Sequence, residues 1–249
     1  CHEKVSYRPS DGRTSAPLAT MRNSIGRCGE ESTFTVSALR AVGIPARQVY
    51  CPRWAHTDDN HAWVEVWVDG KWRFMGACEP EATLDKGWFN WAASRAMLIR
   101  GYDYEGHEIA TTATYAPTKT LRVRVVDAQG APIANATVDF RLYNYSEFYP
   151  LSTVTTDAEG RAAFTTGYGD LQVWVSAKGK YGVKKADGYT TELTITPCYQ
   201  PGSAWVEEYD WHVPTTVLEE PDRSIVDTVS ANGRRLVAED KIRTAYQQA

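Results

Sequence analysis

The fold of the N-terminal part depends on the stretch Gly26-Arg-Cys-Gly-Glu-Glu-Ser32, which leads directly into a helical pattern. Further along, the stretch His61-Ala-Trp-Val-Glu-Val-Trp-Val68 has the alternation of a strand. A thiol at the start of a helix meets unpaired backbone N–H groups and the positive end of the helix dipole, and both favour the thiolate. A nearby imidazole can take the thiol proton and return it to a leaving group. Cys28 and His61 are therefore predicted to be a nucleophile and its base.

The helix after Cys28 has recognisable boundaries. Phe34, Ala38 and Val42 are spaced four residues apart and predict an apolar stripe that continues from Cys28 to Val42. Gly43 is a natural stop, and the proline two residues later prevents continuation.

Three strands follow the helix, and the last two form a hairpin. Residues 46–50 predict a strand, residues 51–60 a polar loop, and residues 61–68 and 71–77 two strands joined by Asp69-Gly70, the preferred two-residue turn pair. The turn sets three facing pairs, Trp67 with Trp72, Glu65 with Phe74, and His61 with Cys78. Because side chains alternate along a strand, one face carries His61, Trp63, Glu65 and Trp67.

The character of the chain changes near residue 117. Short alternating segments separated by Gly and Asp turns are typical of a β-sandwich, and they lie at residues 121–125, 137–142, 161–165, 171–175 and 190–196. We therefore predict an α+β unit at residues 1–117 and a sandwich at residues 118–197. For residues 198–249 we predict a connector and, over residues 223–248, a terminal helix whose pattern Gly233 interrupts.

Composition excludes several classes of protein. A net charge of −4 without a basic patch argues against nucleic-acid binding, and no apolar run reaches the length of a transmembrane helix. Five cysteines are an odd number without a dense disulfide framework, so their pairing stays open. The chain starts at Cys1 instead of Met, which favours a processed piece of a longer protein.

The order and spacing of the N-terminal motifs resemble the transglutaminase-like superfamily, most closely its peptide N-glycanase branch. The resemblance covers about residues 20–81 and is carried by Gly26-Arg-Cys-Gly-Glu30, Gly43-Ile-Pro-Ala-Arg47, His61-Ala-Trp-Val-Glu-Val-Trp67 and Cys78-Glu79. It implies a papain-like α+β core with Cys28 as nucleophile on the helix and His61 as base on the sheet. It also implies acyl transfer through a thioester to water or to an amine, with the backbone N–H of Cys28 holding the oxyanion.

One position departs from the family's pattern. The family has an Asp four residues after the tryptophan of the second strand, whereas this chain has Gly76 there. A carboxylate at that place would orient the imidazole, so the usual triad is incomplete. Glu79 is the nearest replacement, and an equal alternative is that it only accepts backbone N–H bonds in a turn. Asp58 and Asp59 are further carboxylates near His61.

Two other interpretations concern aromatic and metal-binding residues. Trp54, beside the polar loop, and Trp63 are predicted to border a substrate cleft, with the protein core as the alternative for Trp63. A zinc site is a weaker alternative, because its four ligands match no familiar spacing: Cys51, His56, His61 and Cys78. We expect neither a metal nor a cofactor.

The second half resembles carboxypeptidase-regulatory-like and bacterial immunoglobulin-like modules, on residues 125–137 and 156–162. Such a resemblance implies a fold instead of an activity. It favours a secreted, periplasmic or cell-surface protein whose sandwich contacts carbohydrate or the cell surface.

Together, these features predict a cysteine hydrolase or acyltransferase. Its substrate would be an amide bond in a peptide, a glutamine side chain or a glycosylated asparagine, and amidase or protease action is favoured over cross-linking. The alternative is a non-catalytic transglutaminase-like fold that serves as a binding or cell-surface structural protein, in which the missing Asp marks lost chemistry.

Overall fold

The computed structural model describes residues 1–9, 12, 14–203 and 207–248. The described chain consists mainly of β-strands with few helices. In chain order, the N-terminal elements are β1 (Ser6–Tyr7), α1 (Pro17–Asn23), β2 (Ile25–Gly26), α2 (Cys28–Ala41), β3 (Ala46–Cys51), β4 (His61–Val68), β5 (Lys71–Met75), α3 (Asn90–Ala93), β6 (Arg100–Tyr102), β7 (Glu108–Ala110) and α4 (Thr112–Tyr115). Strands β3 to β7 form one sheet in the order β5-β4-β3-β6-β7.

Helix α2 begins at Cys28, as the sequence predicts. The Glu30 carboxylate accepts the backbone N–H of Arg27 at 3.2 Å, which satisfies a free donor of the first turn. The predicted apolar stripe is not the packed face, because Val42 is 73% exposed. Instead Val36 and Leu39 pack against the sheet. Polar side chains on the packed side bond to the helix itself, as when Ser32 Oγ donates to the Cys28 carbonyl, so an apolar pattern could not reveal this face.

The β4–β5 hairpin forms two of the three predicted pairs, whereas His61 and Cys78 do not pair because β5 ends at Met75. Trp67 pairs with Trp72 and Glu65 pairs with Phe74. Both turn residues have the positive φ that this turn requires, 52° at Asp69 and 76° at Gly70. Strand β5 ends two residues earlier than predicted.

The early end of β5 follows from the backbone at Gly76. A Cβ at this position would lie 2.3 Å from the carbonyl oxygen of Glu79, because the chain turns back on itself there. Any side chain, including the Asp of the family's pattern, would therefore collide with this turn.

The second half forms two sheets around one core. Its strands are β8 (Lys119–Val125), β9 (Thr137–Asn144), β10 (Glu147–Thr155), β11 (Arg161–Thr166), β12 (Leu171–Ala177), β13 (Lys180–Ala186) and β14 (Glu192–Ile195). The sheets have the orders β10-β9-β12-β13 and β11-β8-β14, and Val123, Phe140, Val173 and Ile195 meet between them.

Strands β10 and β13 were not predicted. The β9–β10 turn consists of Tyr145 and Ser146, with φ of 51° and 58°. Neither residue type signals a positive-φ turn, since glycine and asparagine are the usual signals there. The hairpin was therefore invisible in the sequence pattern.

The β9–β10 hairpin contacts the loop that precedes His61. Asn144 Nδ2 donates to the carbonyl oxygens of Trp54 at 2.7 Å and Thr57 at 2.8 Å. The backbone N–H of Tyr145 donates to Asp58 Oδ1 at 2.7 Å. Asp58 is therefore used to join the two halves of the chain, and the sandwich supports the loop leading to β4.

The C-terminal helix α5 (Ala231–Gln248) packs on the N-terminal part. The imidazole of His2 lies 3.0 Å from Glu239 and 3.2 Å from Asp240. Residues 223–230 precede the helix, which therefore begins later than predicted. Gly233 lies in the first turn of the helix and does not interrupt it. The backbone of Asp227 packs against this glycine, and a Cβ there would lie 2.2 Å from the Asp227 carbonyl oxygen. None of the described helices is both long and apolar enough to cross a bilayer.

Candidate active site

Cys28 and His61 line the same cavity, which has a volume of about 340 Å³. Cys28 opens α2 and His61 opens β4, so the cavity lies where the helix begins at one end of the sheet. Both residues are partly exposed. Further lining residues include Gln48, Tyr50 and Asn60. A small molecule or an extended peptide segment entering this cavity would meet both side chains.

The Cys28 thiol has a raised pKa, unlike the lowered value expected at a helix N-terminus. Burial is the largest cause, and repulsion from the Glu31 carboxylate, where that group is ionised, adds to it. Hydrogen bonds from the backbone N–H groups of Ala62 and Gly29 act in the opposite direction. The thiol is therefore protonated at rest, and these two N–H groups point at the sulfur atom.

His61 is enclosed by aromatic rings. Its ring centroid lies 5.7 Å from that of Trp63, 4.7 Å from that of Trp88 and 4.9 Å from that of Phe89. Burial, followed by the charge of Arg223, lowers the pKa of His61 to about 3. The imidazole is therefore neutral at physiological pH, with one ring nitrogen unprotonated.

The guanidinium of Arg223 lies 3.7 Å from the ring centroid of Trp88. This cation–π contact brings the C-terminal connector beside the aromatic rings around His61. Sequence reasoning missed Trp88, Phe89 and Arg223 as parts of the site. The Trp88-Phe89 pair was visible as an aromatic segment, but nothing in the sequence related Arg223 to a residue so far away along the chain.

The two predicted catalytic residues are not bonded to each other. Both belong to the described residues, and no hydrogen bond joins Cys28 Sγ to the His61 ring. Within the described chain, no carboxylate forms an ion pair with this ring either. The charge of Glu79 acts on Glu31, Tyr7 and Cys78 on the α2 side of the sheet. The ring is therefore held by its aromatic neighbours.

Trp54 and Trp63 lie in the core and do not line this cavity. They are 3% and 0% exposed, and their rings stack at 6.5 Å. Trp63 projects from the sheet face opposite α2, and Trp54, in the loop between β3 and β4, packs with it in a cluster that includes Phe89. Burying such large aromatic side chains stabilises the fold, which is the alternative that the sequence left open for Trp63.

The four residues considered as zinc ligands do not converge. Cys51 Sγ donates to the Arg53 carbonyl at 3.2 Å, and Cys78 Sγ lies 3.6 Å from Thr35 Oγ1. Among the described residues, the group whose ligand atoms meet is a different one, on the exposed β6–β7 hairpin: Asp103, Glu105 and His107. All five cysteines are free thiols.

Glu31, one helical turn beyond Cys28, is an unusual carboxyl group. The residue is 4% exposed, and its Oε1 has no hydrogen-bond partner among the described residues. Burial and then the nearby charge of Glu79 raise the pKa of Glu31 from 4.5 to about 8, against the opposing effect of Arg243. The carboxyl group is therefore protonated at neutral pH.

The raised pKa of Glu31 makes stability depend on pH. Its contribution is complete below the unfolded-state pKa and is lost as the pH rises through about 8. Glu31→Gln, which mimics the protonated acid, is expected to lie within about 1 kcal/mol of the native chain at pH 5 and to exceed its free energy of unfolding by about 4 kcal/mol at pH 9. Urea unfolding at both pH values measures this difference. The exposed Glu192→Gln is the matched control, and parallel pH profiles for Glu31→Gln and the native chain would contradict the assignment.

Comparison with known proteins agrees with the N-terminal motifs. Residues 1–77 match the family model described as the transglutaminase-like superfamily, which supports that superfamily for this part of the chain. None of the curated proteins matches the chain in sequence.

Solved structures resemble the chain only distantly. Catechol 1,2-dioxygenase from Pseudomonas arvilla C-1 is 17% identical, with 34% of this chain and 53% of the dioxygenase covered and a TM-score of 0.25. The chain thus spans about half the length of that enzyme. A streptococcal ancillary pilin is 11% identical, with 63% and 57% covered and a TM-score of 0.26. A C-terminal fragment of the pilus adhesin SpaC from Lactobacillus rhamnosus GG is 12% identical, with 68% and 93% covered and a TM-score of 0.23. Similarity at this level identifies no function.

Proposed function

We propose that this chain is a cysteine-dependent hydrolase or acyltransferase of the transglutaminase-like type. In this proposal residues 1–117 form a papain-like α+β catalytic unit, residues 118–197 a sandwich and residues 198–249 a connector with a terminal helix. The observation that carries the proposal is the shared cavity, in which a thiol at the start of α2 and a neutral imidazole at the start of β4 are both accessible.

The reaction begins when Cys28 Sγ attacks the carbonyl carbon of a substrate amide. His61 accepts the thiol proton and then transfers it to the departing nitrogen as the C–N bond breaks. The products are a thioester on Cys28 and a free amine. Water or a second amine then attacks the thioester, and the thiol is restored. The backbone N–H of Cys28 holds the oxyanion, as the resemblance implies.

Activation accompanies substrate binding in this proposal. Because the thiol is protonated and the imidazole is neutral at rest, no thiolate–imidazolium pair is waiting for substrate. The proton moves as the C–S bond forms, once the substrate has drawn Cys28 and His61 together. Catalytic hydrogen bonds are often long in unliganded enzymes and shorten in the substrate complex.

The test is a search for the acyl-enzyme. The chain is incubated with peptide, glutamine-amide and glycopeptide substrates, quenched in acid and analysed by mass spectrometry. We expect an acyl adduct on Cys28 that disappears in Cys28→Ala and persists in Cys198→Ala, which removes an exposed thiol of the connector. Turnover that survives in Cys28→Ala would overturn the proposal.

A non-catalytic binding function is the second candidate. It is favoured by the lack of a hydrogen bond between Cys28 and His61 and by the lack of a carboxylate on the imidazole, within the described part of the chain. Under this alternative, a peptide or glycopeptide from the same set binds without turnover, and Cys28→Ala binds it equally well. An exported, cell-surface location with carbohydrate contact through the sandwich belongs to this proposal.

A further inference from the structure

A continuous chain of partly buried hydrogen bonds runs behind His61. Trp63 Nε1 donates to Tyr115 Oη at 2.9 Å, and Tyr115 Oη donates to Glu65 Oε1 at 2.7 Å. The other carboxylate oxygen of Glu65 accepts bonds from Arg47 at 2.7 Å from Nε and 2.6 Å from Nη2. Each polar group at these links has a partner, as a rigid buried network requires.

This network ends on the ring that touches the imidazole. The indole of Trp63 stacks on His61 with an interplanar angle of 22°. Phe89 packs against the same indole at a centroid distance of 4.7 Å, and Trp63 is fully buried. Because Nε1 donates to Tyr115, rotation of the indole would break this partly buried hydrogen bond. The position of the Trp63 plane thus limits the positions open to His61.

Tyr115 is the link that joins the two ends of the network. Its hydroxyl accepts from the indole and donates to the carboxylate, so among the described residues it is the group bonded to both. Burial and the Glu65 charge raise the pKa of Tyr115, which keeps the hydroxyl proton in place as a donor. Tyr115 lies on α4, outside the residues 1–77 that match the family model.

We propose that Tyr115 is a positioning residue that orients the His61 imidazole by fixing the indole of Trp63. In this chain the Tyr115 hydroxyl orients the imidazole indirectly, through the indole of Trp63. It does so in place of the carboxylate that the family has at the position of Gly76. The catalytic consequence depends on the proposed acyl transfer, whereas the effect on the geometry of His61 does not.

The charged surroundings of His61 are simple. The rings of Trp63, Trp88 and Phe89 are uncharged, and Arg223 is the charged group that acts on the imidazole. In a variant that keeps Arg223 in place, a change in the titration of His61 therefore reports on how closely the rings enclose the imidazole.

Tyr115→Phe tests the proposal, because it keeps the ring and removes only the hydroxyl. NMR of the His61 ring is expected to show that the midpoint of its titration rises by at least about one pH unit, as the loosened rings admit water. Nuclear Overhauser contacts between His61 and Trp63 should weaken. With a substrate that acylates the chain, kcat should fall about tenfold while KM stays the same.

Tyr181→Phe is the matched control, since its hydroxyl donates to the Ser203 carbonyl at 3.0 Å in the sandwich. It should leave the titration of His61 unchanged. Trp63→Phe removes the indole donor of the same Trp63–Tyr115 hydrogen bond and should raise the midpoint of the His61 titration equally. This variant replaces Tyr115→Phe in the test if Tyr115→Phe does not fold. A lower melting temperature with an unchanged His61 titration and unchanged contacts would overturn the proposal. If the His61 titration shifts but no substrate acylates the chain, the positioning role of Tyr115 is supported. Only the proposed acyl-transfer function is then contradicted.

Discussion

Replacing Glu65 with alanine is expected to lower the free energy of unfolding by about 3–5 kcal/mol. Glu65 is 2% exposed and lies opposite a guanidinium that is itself mostly buried. Its removal leaves Arg47 as an uncompensated buried charge and deprives the Tyr115 hydroxyl of its acceptor. Since small domains are stable by only about 5–15 kcal/mol, this loss is a large part of the total.

Urea unfolding at neutral pH measures this loss, and a matched ion pair provides the control. Arg100 and Glu108 lie 2.9 Å apart on the same sheet, but the Glu108 side chain is 45% exposed. Glu108→Ala should therefore cost no more than about 1 kcal/mol. Arg47→Met combined with Glu65→Leu removes both charges and should be less destabilising than Glu65→Ala alone. Equal losses for Glu65→Ala and Glu108→Ala would show that the pair is not effectively buried.

Replacing His61 with glutamine is expected to slow acylation of Cys28 by about 10²–10⁴-fold. The amide cannot accept the thiol proton at neutral pH, and the thiol has a raised pKa, so little thiolate is available without a base. Single-turnover acylation with a substrate identified by mass spectrometry measures the rate constant. His107→Gln, on the exposed β6–β7 hairpin, is the matched control and should be neutral.

The pH profile of the native chain gives an independent check. Because the pKa of His61 is about 3, the imidazole remains a base throughout the range from pH 5 to 8. Protonation of His61 should therefore cause no loss of acylation rate between these values. A midpoint near 6.5, the ordinary histidine value, would mean that the ring is solvated and that the aromatic rings do not enclose it as described.

The candidate site was predictable where its signals are local. Cys28 could be assigned to the start of a helix because the glycine-flanked motif and the following helical pattern are contiguous in sequence. His61 could be assigned to the start of a strand because Asp69-Gly70 fixes the hairpin and its register. The family resemblance added the roles of these two residues, and those roles remain predictions.

The surroundings of the two residues were not predictable. The pKa of Cys28 depends on its depth of burial, which the position of a helix N-terminus does not determine. Trp88 and Phe89 approach His61, and Tyr115 bonds to Trp63, from segments without regular patterns. Arg223 reaches Trp88 from the C-terminal connector and acts on His61 by its charge. Strand β10 was not predicted because its turn, Tyr145-Ser146, lacks the residues that usually indicate a hairpin. Strand β13 was missed although its turn contains Gly179.

Local patterns were thus enough for the helix that begins at Cys28, for the strand that begins at His61 and for a β-rich second half. These features depend on the period of side chains along the backbone and on turn chemistry, both of which act over a few residues. The enclosure of the imidazole, the protonation of Glu31 and the Trp63–Tyr115–Glu65–Arg47 network came from the packing of distant segments. Burial and hydrogen-bond partners are properties of the folded chain in three dimensions, and they set the charge states on which any chemistry at Cys28 depends.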